Sequence, residues 1–237
     1  MSLIRIFEQQ PLEINKTITI DKIHYITNVM RKKTGDNIIV VNGSGCEFLG
    51  QIIKINKKNI EIIIKEKTKQ KKTPDFLGLI CSPIHKQDIL IKHSVELGIT
   101  EFLPYKAQYG QTKFNIDKDR LNIIEALEQC ERLDFPIIHQ QKSLKEILTE
   151  LEQQKKSLIF FCEERTTDTI NLKQFNFSLY EKYYILVGCE GGFSPQEKQM
   201  IKTFNCVKSI SLGENILRTE TAVASAISII QYLKTGV

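Results

Sequence analysis

Apolar residues follow two different rhythms along this chain. From Asp36 to Ile64, "DNIIVVNGSGCEFLGQIIKINKKNIEIII", β-branched and polar positions alternate with the period of half-buried strands. Asn42-Gly43 supplies the positive-φ turn of a hairpin, and Asn59 lies in a second turn. Ahead of them, Ile23, Ile26, Val29 and Met30 recur at helical spacing between Asp21 and Lys33. Several short strands with one small helix predict a compact, partly closed β-barrel. Gly43-Ser44-Gly45 lacks the following Lys-Ser/Thr of a phosphate loop and reads as a turn.

After Pro74 the rhythm changes. Short, near-continuous apolar runs at 76–80, 101–104, 157–162, 183–188 and 207–212 alternate with helical stretches. These fall near 86–97 (closed by Gly98), 118–133, 143–154, 195–204 and 219–234. Strands apolar on both faces, separated by helices, predict a parallel sheet covered on both sides. The chain therefore divides into a barrel at 1–72 and an α/β domain at 73–237. Ligands of such sheets sit outside the carboxyl ends of the strands.

Charge follows the same division. Residues 1–72 hold 14 Lys/Arg against 7 Asp/Glu, a balance of +7; residues 73–237 hold 19 against 21, a balance of −2. Basicity confined to one third of the chain points to an anionic partner there, most commonly nucleic acid. Arg31, Lys32 and Lys33 form the best local RNA-binding cluster, following the helical segment and preceding the Gly35-Asp36 turn. The lysine run at 65–74 reads either as part of that surface or as a solvated linker. Nothing near the C-terminus approaches the ~20 apolar residues of a membrane span, and "MSLIRIFEQQ" lacks an apolar signal core. A cytoplasmic location follows as the expectation. Six cysteines stand singly, with no CxxC pair and no Cys/His ligand spacing, so neither disulfides nor a metal site is expected.

The chemistry concentrates at two strand ends. Three of the chain's 12 glycines, Gly188, Gly191 and Gly192, fall within five positions around Glu190. Ser194, Pro195 and Glu197 then mark a helix start with a capping box. A carboxylate in an amide-rich loop would repel a phosphate. It suits a cationic or hydroxyl-bearing ligand, or it ties the loop together through hydrogen bonds. Downstream, "SLGENILRTETAVASAI" (211–227) puts Arg218 at another helix start, where a cation is unfavourable against the helix dipole. Arg218 therefore calls for an acidic partner such as Glu190, or for an electron-rich substrate. Ala222, Ala224, Ser225 and Ala226 permit close helix packing, within one subunit or between two.

"GCEGGFSPQE" together with "LGENILRTETA" resembles the paired signature of the RsmE family of 16S rRNA (uracil-N3)-methyltransferases, typically GPEGGFS and LGxxILRTETA, within the SPOUT superfamily. The likeness extends to "VMRKKTGDNIIVVNGSG" (29–45), similar to the family's N-terminal barrel, and to "SVELGITEFLP" (94–104) and "EALEQCERLDFP" (125–136). The resemblance implies an α/β protein: a small N-terminal PUA-like β-barrel, then a SPOUT domain with a parallel sheet and a trefoil knot. It implies S-adenosyl-L-methionine as cofactor, held by the loops carrying Gly188, Gly191, Gly192, Ile210, Leu212, Gly213, Ile216 and Leu217. It also implies 16S rRNA or the small ribosomal subunit as partner, a homodimer, and no metal. For uracil N3, which carries a proton at neutral pH, Arg218 would stabilise developing negative charge. Glu190 and Glu220 would orient Arg218 or accept the proton. Cys189 replaces the usual proline, His93 stands where lysine is common, and "AQYGQT" (107–112) lacks the usual arginine-serine. Two other readings are a methyltransferase acting on another atom, such as a ribose 2′-hydroxyl, and a non-enzymatic RNA-binding or ribosome-assembly factor. The barrel and the LRTETA stretch argue against the first, the intact glycines and Arg218 against the second.

Overall fold

The computed structural model describes residues 3–71, 76–164, 166 and 168–236, and the expected domain boundary at 72–73 lies outside them. The chain forms two compact units, Met1–Pro74 with Ile124–Phe135, and Asp75–Ile123 with Pro136–Val237.

The first unit is built on strands β1 (Arg5–Phe7), β2 (Thr17–Ile20), β3 (Asn37–Val41), β4 (Cys46–Ile55) and β5 (Ile60–Gln70), in the order β1-β3-β4-β5-β2. Alternation does what the sequence period requires: Ile60, Ile62 and Ile64 point inward and join Ile6, Ile18, Ile38, Val40 and Ile52 in one apolar core. Register shifts in the β4–β5 ladder bend the sheet around that core. Among the described residues no ladder joins β1 to β2, so the barrel is curved but not closed by pairing. Gly43 and Gly45 carry the positive φ of the β3–β4 turn. The segment between Asp21 and Lys33 holds one wide helical turn, His24–Val29, anchored by buried Ile26. The lysine run is strand as far as Gln70, paired with the first residues of β4; its last residues, 72–74, lie outside the described ones.

The second unit contains β6 (Leu77–Cys81), α1 (Gln87–Glu96), β7 (Glu101–Lys106), the first half of α2 (Ile116–Cys130), β8 (Ile137–Ile138), β9 (Lys142–Ser143), α3 (Leu144–Gln153), β10 (Ser157–Cys162), β11 (Lys182–Val187), α4 (Pro195–Ile201), β12 (Val207–Ile210) and α5 (Thr219–Thr235). Its strands run β12-β10-β11-β6-β7-β8, with β9 also on β7. Every ladder is parallel. All five residues of β6 and five of six in β10 and β11 are buried, as two-sided coverage demands. Two expected elements are shorter than their apolar patterns. β12 stops at Ile210, because Ser211 and Gly213 close a local turn through the Ser211 hydroxyl. α4 stops at Ile201, where Lys202–Asn205 turn back toward β12.

The second half of α2 and the segment after it are fastened into the first unit. Glu128 accepts hydrogen bonds from the Phe7 amide (2.7 Å) and the Lys22 ammonium (2.6 Å). Asp134 is held by Arg132 (2.7 Å) and Lys71 (2.6 Å), and these cations keep its carboxyl below the usual range against the cost of burial. Phe135 lies against Phe7, with ring centroids 5.4 Å apart. Buried Glu47 is held by Arg5 at 2.6 Å.

Candidate active site

Parallel register brings three strand ends to one edge: Phe161 pairs with Leu186, and Cys162 with Ile210. The chain leaves β10, β11 and β12 there and encloses a cavity of about 590 Å³. Its wall includes Gly188, Gly191, Gly192, Ile210, Leu212, Gly213, Ile216 and Leu217, together with Glu190, Arg218 and Glu220. Two stretches, Gly188–Gly192 and Ile210–Leu217, separated in sequence by α4 and most of β12, thus form one surface. Arg31, Lys32 and Lys33 belong to the first unit and do not line it.

The loop after β11 is braced on all sides. Gly192 has φ +68° and closes a turn through its amide to the Cys189 carbonyl at 2.9 Å. A Cβ on Gly188 would lie 3.0 Å from the Phe193 ring, and one on Gly191 only 2.8 Å from the Tyr109 Cβ. The close approaches explain these two glycines by packing as well as by access to a ligand. Phe193 lies parallel to Tyr105 and edge-on to Phe161. Ser194 is fully buried and caps α4 in a reciprocal box with Glu197. Glu197 also accepts the Gln108 amide at 3.0 Å. Glu190, exposed, accepts the His85 amide at 2.6 Å through Oε1, so it ties its loop to the one after β6.

The loop after β12 is different. Gly213 (φ +122°), Glu214, Asn215 and Ile216 are exposed, and Ser211–Gly213 is its local closure. Arg218 is the N-cap of α5 but makes no side-chain hydrogen bond or ion pair among the described residues; in particular it does not pair with Glu190. Glu220, largely buried in the first turn of α5, faces the Lys86 ammonium at 3.4 Å instead. Of the two expected explanations for Arg218, an acidic partner is not found among the described residues of the chain.

Several wall residues had no sequence assignment: His85 and Lys86 after β6, Cys162, Glu163 and Glu164 at the end of β10, and Lys198 on α4. The signal was present, since apolar runs 76–80 and 157–162 deliver their carboxyl ends to the same edge of the sheet. Glu163 is already occupied, by Lys202 at 2.9 Å and the Ser209 hydroxyl at 3.2 Å. Burial pushes the Cys162 thiol up to about 12 and raises that of Cys189, so neither offers a thiolate at neutral pH. Among the described residues no cluster of His, Cys, Asp and Glu has the makings of a metal site, and no helix is long and apolar enough to cross a membrane. All six cysteines are free. The cavity size is that of a small-molecule site. Backbone groups of the glycine loop with apolar Val187, Ile210 and Leu217 suit a ligand that is part polar and part flat and apolar.

The sequence matches the model of an RNA methyltransferase domain over residues 71–231 and that of an RNA methyltransferase PUA domain over 18–65. It is 35% identical to Ribosomal RNA small subunit methyltransferase E of Rickettsia conorii, across 89% of this chain and 86% of that protein. The protein of the same name from Buchnera aphidicola is 32% identical over 96% and 95%. A Neisseria gonorrhoeae protein of that name, crystallised bound to S-adenosyl methionine, shares the fold at a TM-score of 0.87, with 23% identity and 98% of each chain covered.

Proposed function

This chain belongs to the ribosomal RNA small subunit methyltransferase E family, and from that premise we propose that it methylates N3 of one uridine in the 16S rRNA of the small subunit, using S-adenosyl-L-methionine. The observation that carries the reading is the cavity in which both signature loops meet around Arg218, whose side chain has no partner among the described residues. The loops carrying Gly188, Gly191, Gly192, Leu212 and Gly213 would hold the cofactor through backbone groups, with Ile210, Ile216 and Leu217 against its apolar parts. Bound there, the cofactor supplies an electrophilic methyl group.

The protein's part is to make N3 of the acceptor a nucleophile. Its proton must leave and the charge developing over O2, N3 and O4 must be offset. Arg218, with a guanidinium that no carboxylate among the described residues neutralises, supplies the fixed positive charge, worth ~10²–10³-fold. Glu190 is the better proton acceptor of the two carboxylates. Its Oε2 has no hydrogen-bond partner among the described residues, whereas Glu220 is committed to Lys86. Glu220 acts on this reading by holding Lys86 and the helix start in place.

The first unit supplies electrostatic grip on RNA through Arg31, Lys32 and Lys33, whose side chains make no hydrogen bond or ion pair among the described residues. The enzyme works as a homodimer in the cytoplasm, where small subunits are made. Exposed Ile229 and Tyr232, in line with Ser225 and Ser228 on α5, support the dimer. Incubating the protein with labelled cofactor and unmodified small subunits tests the reading. Label in the small-subunit RNA is the expected result; protein that binds cofactor but leaves the RNA unlabelled rejects it.

A further inference from the structure

The carboxylates of both signature stretches are held by one short segment, residues 82–86 between β6 and α1. The His85 amide donates to Glu190 and the Lys86 ammonium faces Glu220, so two adjacent residues of the segment meet both stretches. Those two residues are exposed, whereas Ser82 and Ile84 before them are buried. The residue that follows anchors them. Gln87, the first of α1, turns its side chain back so that Oε1 accepts the Ile84 amide at 3.2 Å. Its Nε2 donates to Asp119 Oδ2 at 2.9 Å. A line of hydrogen bonds therefore runs from Asp119 through Gln87 to the Ile84 amide, one residue from the amide that Glu190 holds.

Asp119 is an expensive way to hold a glutamine. It is 2% exposed and makes no ion pair among the described residues. Burial pushes its carboxyl up to about 6, against the Gln87 hydrogen bond and the Lys118 charge, and the Cys81 thiol on β6 also feels its charge. It is nevertheless ionised at pH 8, and an ionised carboxylate only accepts hydrogen bonds, whereas a side-chain amide can present either end. The carboxylate thus leaves Gln87 one orientation, with nitrogen toward Asp119 and oxygen toward the Ile84 N–H. A neutral amide at 119 would leave that choice open. Orientation is what a proton acceptor needs, because misplacement by about 1 Å costs up to about 10²-fold in rate.

We propose that Asp119 and Gln87 are positioning residues for methyl transfer: the carboxylate sets the Gln87 amide, the amide sets Ile84–Lys86, and that segment sets Glu190. The proposal rests on the reading of Glu190 as the proton acceptor. Neither residue touches substrate or cofactor; both act through the His85 amide.

The test uses the whole protein at pH 8, with methyl transfer to unmodified small subunits measured beside hydrogen exchange at the Ile84 and His85 amides. Gln87→Met keeps the side-chain length and removes both bonds. It should lower kcat between about ten- and a hundred-fold and speed exchange at both amides, with KM for the subunit and S-adenosyl-L-methionine affinity within a few-fold. Asp119→Asn combined with Gln87→Glu runs the outer bond backwards. The new amide donates to the new carboxylate, whose other oxygen still accepts the Ile84 N–H. This reversed pair should recover kcat and protection to within a few-fold of wild type. Asp119→Asn alone should lose a few-fold in kcat while being more stable than wild type at this pH, which separates positioning from a fold defect. A reversed pair as slow as Gln87→Met, or unchanged kcat or exchange in Gln87→Met, overturns the proposal even if wild-type protein methylates RNA. Exchange that follows the pair in a protein that transfers no methyl upholds the anchoring of the segment and rejects the methyltransferase reading.

Discussion

The two loops that form the cofactor-sized cavity are made on opposite plans. The one after β11 spends nearly all its polar groups on the protein: Glu190 on His85, Glu197 on Gln108 and Ser194, Ser194 on α4, with Phe193 between two aromatic rings. The one after β12 is exposed over 213–216 and leaves the Arg218 side chain with no partner among the described residues. A braced loop fixes a shape, while a loop with an uncommitted cation reserves that cation for something not in the chain. The first unit repeats the contrast among its cations. Arg5, Lys22 and Lys71 are tied to Glu47, Glu128 and Asp134, whereas the side chains of Arg31, Lys32 and Lys33 make no hydrogen bond or ion pair among the described residues.

The largest effect should come from the uncommitted arginine. Arg218→Ala should lose ~10²–10³-fold in the rate of methyl transfer while cofactor affinity stays within a few-fold. Single-turnover rates beside calorimetric titrations check this; a matching loss of affinity would make Arg218 part of the scaffold and erase the contrast.

The glycines give a sharper test of bracing. Gly192 (φ +68°) and Gly213 (φ +122°) both adopt backbone that side chains resist, and neither has a neighbour within 4 Å of a Cβ position. Strain at 192 has nowhere to relax, because its loop is pinned on both sides. Gly192→Ala should therefore lower cofactor affinity roughly ten-fold, and Gly213→Ala only two- to three-fold. Equal losses would break the comparison.

Much of this was legible in the residues, and the rest failed for identifiable reasons. The capping box of Ser194 and Glu197, the alternation of Ile60, Ile62 and Ile64, and the strand-end position of both glycine stretches are local patterns, and local patterns survive folding. β1 and β2 went unseen because three or four residues carry too little periodicity to register. The transfer of residues 124–135 to the first unit depends on Glu128 and Asp134 meeting partners over sixty to a hundred and twenty positions away, which no window along the chain contains. The absence of a Glu190–Arg218 pair was equally beyond reach. Sequence spacing brings the two residues to one cavity but does not decide which carboxylate meets which cation, and Glu220 and Lys86 found each other.

The uncommitted cations of the first unit should show themselves in salt dependence. Replacing Arg31, Lys32 and Lys33 together by alanine should flatten the log–log slope of RNA binding by ~2–3 units, with cofactor affinity unchanged. An unaltered slope would move the footprint to the exposed lysines of β5.

The smallest effect belongs to a group outside both loops. Asp119 on α2 is buried and accepts from Gln87 at 2.9 Å, and burial pushes its carboxyl up to about 6. An unfolded aspartate titrates near 3.9. Between about pH 4 and 6 the folded state holds a proton that the unfolded state has released, so stability falls as pH rises through that window. Asp119→Asn should remove the fall, gaining about 1–2 kcal/mol at pH 7–8 and nothing at pH 3.5. Thermal melts across pH check it; a gain that does not vary with pH would point to packing instead.

The central claim is that the free guanidinium and the carboxylate at one cavity edge act on the imide nitrogen of a pyrimidine. The most direct test is the identity of the product. Small subunits lacking the modification are incubated with protein and cofactor, their RNA is digested to nucleosides, and the methylated species is identified by mass spectrometry. The account predicts 3-methyluridine, at one position. A nucleoside methylated on the ribose 2′-oxygen, or on any base atom other than uracil N3, would contradict it.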